Sequence, residues 1–111
     1  MLSKPSSAKL SVFSNLFLTL LDQRAEPEIE AQVKELIEDF CGEECGYHKL
    51  RTRQAGARVY IDFHLQFFPE TPIDKAHQLS HQLKENLEKK IPGSEVIIHL
   101  EPIKEKERIF N

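Results

Sequence analysis

The chain of 111 residues lacks the features of several common functional classes. It has no basic excess, because 15 Lys and Arg stand against 18 Asp and Glu, a net charge of −3. Nucleic-acid binding depends on a cationic surface, so this balance argues against DNA or RNA as a partner. With only two Cys and no basic, apolar leader ending in small residues, the sequence predicts a cytoplasmic protein with reduced thiols.

The chain also lacks a long apolar run. Its most apolar stretch, residues 10–21, includes four polar residues and falls short of the roughly twenty apolar residues that a membrane-spanning helix needs. We therefore expect no membrane span. The apolar residues in this stretch recur at helical spacing, which predicts an amphipathic helix within an N-terminal segment, residues 1–24. We expect its apolar side to pack on the domain or on a second copy. A membrane surface is the less favoured partner, because the stretch has few of the basic residues that such binding uses.

Two further segments have helical periodicity. Residues 27–40 begin with Pro27 and end before Gly42, the residues expected at the start and end of a helix. The second helix is predicted from Thr71 as N-cap, with Pro72 in the first turn and Asp74 as the capping acid. It runs towards Pro92–Gly93, with an apolar stripe of Ile73, Ala76, Leu79, Leu83 and Leu87.

Two segments instead alternate with the period of a β-strand, residues 58–68 and 94–102. Residues 47–54 precede the first of them across a turn at Gly56, which predicts a hairpin. The resulting order, α-β-β-α-β, predicts an α+β fold, an open two-layer sandwich with two helices on one face of a three-stranded sheet. Residues 25–102 form this single domain, and residues 103–111 form a charged tail.

Imidazole and carboxylate side chains come from all three predicted strands. His64 shares a strand face with Asp62 and Gln66, because side chains alternate along a strand. His99 and Glu101 are two residues apart on the last strand, and His48 lies on the strand paired with that of His64. Neutral imidazole and carboxylate are ligands that suit zinc and related divalent ions. Their convergence on one small sheet predicts a cation site.

Other candidate ligands are weaker. His77 and His81 are four residues apart on the second helix, where both side chains can face one ion or simply water. Cys41 and Cys45 precede His48, but their spacing is not that of a zinc knuckle, so reduced thiols without a ligand role are the favoured interpretation. No phosphate-binding loop or nucleophile elbow is present. We therefore predict no enzyme; a hydrolase using a metal-bound water is a minor alternative.

The motifs around these histidines resemble a known family over residues 20–102. They are HKLRTRQAG with His48, DFHL with His64, AH with His77 and PGSEVIIHLEP with His99. Together they resemble the cytoplasmic C-terminal domain of cation diffusion facilitator transporters. The resemblance implies a metallochaperone-like, ferredoxin-like fold and a homodimer with zinc at its interface. It implies ligand roles for these four histidines, and it places Glu101 where the family usually has a bridging Asp.

The resemblance also implies a function. We expect a dimeric module that binds zinc or a similar divalent cation and senses, buffers or regulates metal handling. The alternative is a metal-independent dimerisation module that pairs with itself or with a full-length transporter. Family transporters place six membrane helices before this domain. Residues 3–17 do not look like the end of such a helix, which favours a free-standing relative over an excised domain.

Overall fold

The predicted order of elements is confirmed. The structure, a computed structural model, describes residues 24–104. The elements are helix α1 (Pro27–Cys41), strands β1 (Cys45–Ala55) and β2 (Arg58–Phe67), helix α2 (Ile73–Lys90) and strand β3 (Ser94–Pro102). The predicted N-terminal helix lies outside the described residues. Neither of the helices described between residues 24 and 104 is long and apolar enough to cross a membrane.

The three strands form one sheet in the order β1-β2-β3. Strands β1 and β2 are antiparallel and joined by the hairpin turn at Gly56. Strand β3 runs parallel to β2, because the crossover through α2 returns the chain to the end of the sheet from which β2 began. The fold is the α+β sandwich that the sequence predicted.

Both helices cover the same face of the sheet. The inward side chains of β2 alternate along the strand and are at most 4% exposed. They pack in one cluster with Val33 and Ile37 of α1 and with Leu83 and Leu87 of α2. The opposite face, which we call the open face, carries His64 and Asp62 of β2 with their neighbours on β1 and β3. Neither α1 nor α2 covers it.

The start of α2 differs from the prediction. The helix begins at Ile73, with Pro72 in extended conformation as its N-cap, and neither Thr71 nor Asp74 forms the predicted capping bond. The Asp74 carboxylate instead accepts a hydrogen bond from the Lys75 backbone N–H at 2.9 Å. Ile73 is therefore at the helix end and 82% exposed, so it does not belong to the buried stripe, whereas Leu83 and Leu87 are fully buried.

The junction between α1 and β1 carries a disulfide. Gly42 caps α1 as predicted, with φ 54°, and its N–H donates to the Glu38 carbonyl. This turn reverses the chain and brings Cys41 and Cys45 to a Cα–Cα distance of 4.9 Å, where they form a disulfide. The prediction of reduced thiols is therefore wrong for this structure. It rested on compartment alone, whereas the tight helix cap places the two side chains within bonding range.

A hydrogen bond also joins α1 to β1 at this junction, and it leads us to expect a loss of stability at high pH. The Tyr47 hydroxyl donates to Oε2 of Glu38 at 2.8 Å. Burial, followed by this hydrogen bond, raises the pKa of Tyr47 to about 12. Because ionised Tyr47 is disfavoured only in the folded state, its contribution to stability is constant below pH 10 and is lost between pH 10 and 12, by up to about 2 kcal/mol.

We expect Tyr47→Phe to lower stability at pH 8, through the lost hydrogen bond, and to remove this alkaline loss. Urea unfolding at pH 8 and pH 11.5 measures both effects. Tyr60→Phe, on the open face, is the matched control and should retain the alkaline loss. An unchanged alkaline loss in Tyr47→Phe would contradict the assignment.

Candidate metal centre

The strand register aligns three histidines across the open face. His48 of β1 pairs with His64 of β2, and His64 pairs with His99 of β3. Since Phe63 and Leu65 point into the core, the intervening His64 side chain points to the open face. The sheet thus brings together residues that are up to 51 positions apart in the sequence.

His48, His64 and Glu101 form a compact group. Their candidate ligand atoms all lie within 4.8 Å of one another. Nε2 of His48 donates to Oε2 of Glu101, and Nδ1 of His64 donates to Oε1 of Glu101 at 3.2 Å. The two imidazole rings meet edge to face with their centroids 5.4 Å apart. Two ring nitrogens therefore converge on one carboxylate, an arrangement that can bind a divalent cation.

The electrostatics of Glu101 favour its ligand form. Burial raises the pKa of this carboxyl, but hydrogen bonds and charge interactions with His48 and then His64 outweigh that effect, so the pKa lies below its ordinary value. Glu101 is therefore ionised at neutral pH. The side chains of His48, His64 and Glu101 are 32%, 28% and 27% exposed, which leaves the group open to an entering ion.

His99 takes a different partner. Its ring stacks on His64 with centroids 4.7 Å apart, but its Nε2 contacts Oδ1 of Asp62 at 3.3 Å. Asp62 was not among the predicted ligands. The alternation that places Asp62 and His64 on one face was the available signal, but it was used only to orient His64. The open face thus carries two adjacent imidazole–carboxylate sets.

The remaining predicted ligands lie elsewhere. His77 and His81 are exposed on α2, and His81 is 3.5 Å from Glu85. Within residues 24–104, neither belongs to the group around Glu101. Cys41 and Cys45 pack with the core, on the opposite side of the sheet from the His48 ring. As a disulfide they supply no thiolate ligand.

A bulge next to His48 was also missed. The β1–β2 register shifts between His48 and Arg51, and Lys49 within the shift has φ 56°. A side chain in this left-handed region costs about 1–2 kcal/mol. Lys has no β-branch or turn preference that would have predicted the bulge. The extra residue places both His48 and Arg51 on the open face.

We expect Lys49→Gly to be more stable than Lys49→Ala by about 1 kcal/mol, because only alanine keeps the left-handed penalty. Both variants remove the same charge, so the comparison isolates the backbone. Urea unfolding of the two proteins measures the difference. Greater stability of Lys49→Ala would show that the strand is regular at this position.

Most of the chain is similar to known proteins. A family described as "Cation efflux protein, cytoplasmic domain" matches residues 25–103. The cation-efflux pump FieF of Pectobacterium atrosepticum is 35% identical over 85 residues, which are 77% of this chain and 28% of that protein. The chain thus spans about a quarter of the length of this relative.

Solved structures show the same fold. CzrB in its Zn form is 33% identical and has a TM-score of 0.68, over 76% of this chain and 96% of that chain. The metal-bound C-terminal domain of the CzcD transporter from Thermotoga maritima is 21% identical, with a TM-score of 0.58 over 70% and 94%. The CzcD likeness concerns the fold alone. The family match over residues 25–103 includes all three strands and both helices.

Proposed function

Because the chain belongs to the family of cation efflux protein cytoplasmic domains, we propose that it is a dimeric module that binds zinc or a similar divalent cation and regulates metal handling. The single observation that supports this most strongly is the convergence of His48, His64 and Glu101 within 4.8 Å. Two neutral imidazoles and one carboxylate match the ligand preference of zinc. The proposed zinc is held by Nε2 of His48, Nδ1 of His64 and the Glu101 carboxylate.

The adjacent His99–Asp62 pair supports a second ion position. The stacked rings of His64 and His99 place the two sets side by side on the open face. His99 and Asp62 offer only two ligand groups, so further ligands would have to come from water or a second copy. His77, exposed on α2, is the predicted ligand that a second copy can contribute. Ligands from two subunits would couple cation binding to dimer geometry.

The relatives are named for cation efflux and not for an enzymatic reaction, and we propose no catalytic role. In a transporter, a cation that binds one dimer geometry better than another would shift the population of that geometry. In a separate chain, the same shift would regulate a partner protein. Alternatively, the binding itself would store metal. Pairing with a full-length transporter is part of this proposal.

Zinc titration of the chelator-stripped protein tests the proposal. We expect saturable binding by calorimetry in the native chain and its loss in His64→Ala. His99→Ala should reduce the number of ions bound, whereas His81→Ala, a histidine away from the open face, should bind as the native chain does. Sedimentation with and without zinc reports the effect on the dimer. If zinc shows no saturable binding and the dimer sediments identically with and without zinc, the result would instead support the metal-independent dimerisation module.

The proposed site also predicts a pH dependence. An imidazole binds a cation only through an unprotonated nitrogen, and histidine is ordinarily half protonated near pH 6.5. We expect zinc affinity to be weaker at pH 5.5 than at pH 7.5 by about tenfold for each histidine ligand. Calorimetry at the two pH values, with circular dichroism to show that the protein stays folded, measures this. Equal affinities would exclude histidine ligands.

A further inference from the structure

The disulfide between Cys41 and Cys45 is not explained by the cation site. It joins the last residue of α1 to the first residue of β1. The family to which the chain belongs is one of cytoplasmic domains, and thiols in the cytosol are normally kept reduced. A disulfide in that compartment is typically transient, as in catalytic or redox-sensing pairs. This disulfide closes a loop of only three intervening residues. It therefore constrains the unfolded chain little and contributes little to the stability of the fold.

The pair is placed to act on the cation site through the backbone. Cys45 begins the four-residue segment that ends at His48. Beyond His48 the β1–β2 register is interrupted by the bulge at Lys49. The segment from Cys45 to His48 pairs with residues 64–67 of β2, and the bulge separates it from the rest of β1. At its other end it is fastened to α1 by the disulfide and by the hydrogen bond from Tyr47 to Glu38.

We propose that Cys41 and Cys45 form a reversible thiol–disulfide site whose oxidation state controls how firmly β1 holds His48, and thereby the cation affinity of the open face. The second part rests on the proposed function. In the oxidised chain two links hold the segment against α1. In the reduced chain the Tyr47–Glu38 hydrogen bond is the remaining one of these two links, beside the pairing of the segment with β2. His48 therefore samples more positions and binds the cation less well.

The exposure of Cys41 and Cys45 determines which of the two sulfur atoms a reductant attacks. Cys41 is 4% exposed, whereas Cys45 is partly exposed and residues 42–44 between them are exposed. A thiolate of a cellular dithiol attacks Sγ of Cys45, the Sγ–Sγ bond breaks, and Cys41 leaves as a thiolate that takes up a proton. The second thiol of the reductant then displaces Cys45 and becomes oxidised to a disulfide. Oxidised glutathione reverses the sequence and is itself reduced to two molecules of glutathione.

Zinc titration of the native chain in its two redox states tests the proposal without any mutation. One sample is oxidised with oxidised glutathione and the other reduced with dithiothreitol, which is then removed without air. Mass spectrometry after alkylation counts the free thiols. We expect the reduced chain to bind zinc about tenfold more weakly than the oxidised chain. Cys41→Ala/Cys45→Ala should match the reduced chain in the presence of either reagent.

Hydrogen exchange provides a readout that does not depend on metal. The backbone amides of residues 46–48 should exchange about tenfold faster in the reduced chain, whereas those of residues 59–61 in β2, which pair with residues 52–54 beyond the bulge, should not change. Equal exchange and equal zinc affinity in the two states would overturn the proposal. Tighter zinc binding by the reduced chain, absent from the double variant, would also overturn it, because the thiols would then be ligands.

The two proposals fail in distinguishable ways. If neither redox state binds zinc, the proposed function fails, and the exchange of residues 46–48 alone decides whether the redox state controls this segment. If both states bind zinc with the same affinity, the cation site stands and the control by Cys41 and Cys45 is excluded. The thiol counts show in each case that the disulfide was opened and closed.

Discussion

Glu101→Gln is expected to weaken zinc binding by several hundredfold to about a thousandfold, since one of three ligands is lost from a site of the strength typical for zinc. The Glu101 carboxylate accepts hydrogen bonds from both His48 and His64, so it is the one residue that joins the group. Glutamine keeps the length of the side chain and one acceptor oxygen. It removes the negative charge that balances the cation.

Glu95→Gln is the matched control for this change. Glu95 lies on the same strand and is paired with Arg58 at 3.3 Å, away from the histidines. Calorimetry with zinc should show native-like binding in Glu95→Gln and a loss only in Glu101→Gln. Circular dichroism should show both variants folded. If Glu101→Gln binds zinc as the native chain does, the carboxylate is not a ligand.

Gly93→Ala is expected to destabilise the fold by roughly 2–4 kcal/mol, the sum of a left-handed backbone penalty and a steric clash. Gly93 has φ 78°, and a Cβ at this position would lie 2.6 Å from the backbone carbonyl oxygen of Ala57. The Gly93 carbonyl also accepts a hydrogen bond from the Val59 N–H at 3.0 Å. Neither backbone can move aside without disturbing the pairing of β2 with β3.

Gly42→Ala separates the two contributions. Gly42 also has positive φ, 54°, but a Cβ there meets nothing within 4 Å. We expect it to cost only the backbone penalty, roughly 1–3 kcal/mol, because φ 54° with ψ −120° is a region that residues other than glycine rarely adopt. Thermal unfolding should therefore show Gly93→Ala melting roughly 10–25 °C below the native chain, and further below it than Gly42→Ala, because only Gly93→Ala adds the clash with Ala57. Equal losses in the two variants would show that the contact with Ala57 is not tight.

Sequence reasoning predicted the fold well because its signals are local and periodic. The alternation along β2 separates the core side chains from His64, and Gly42 ends α1 where the helical period ends. The crossover through α2 then fixes β3 parallel to β2. The start of α2 was misplaced by one residue because Pro72 is tolerated both as an N-cap and in the first turn.

The site was predicted less completely because its geometry depends on register across strands. Faces can be assigned from alternation, but the pairing of His99 with Asp62 requires the offset between β2 and β3. The bulge at Lys49 has no sequence signal, since Lys is not a residue that favours positive φ. The disulfide was rejected on grounds of compartment, although only the geometry of the helix cap decides whether two cysteines meet.

A crystal structure of the zinc-loaded protein, with anomalous data collected at the zinc edge, tests the proposed metal centre most directly. We expect an anomalous peak on the open face within about 2.0–2.2 Å of Nε2 of His48, Nδ1 of His64 and a Glu101 carboxylate oxygen. A zinc ion bound by other residues, with His48 and His64 still donating hydrogen bonds to Glu101, would contradict the proposed site.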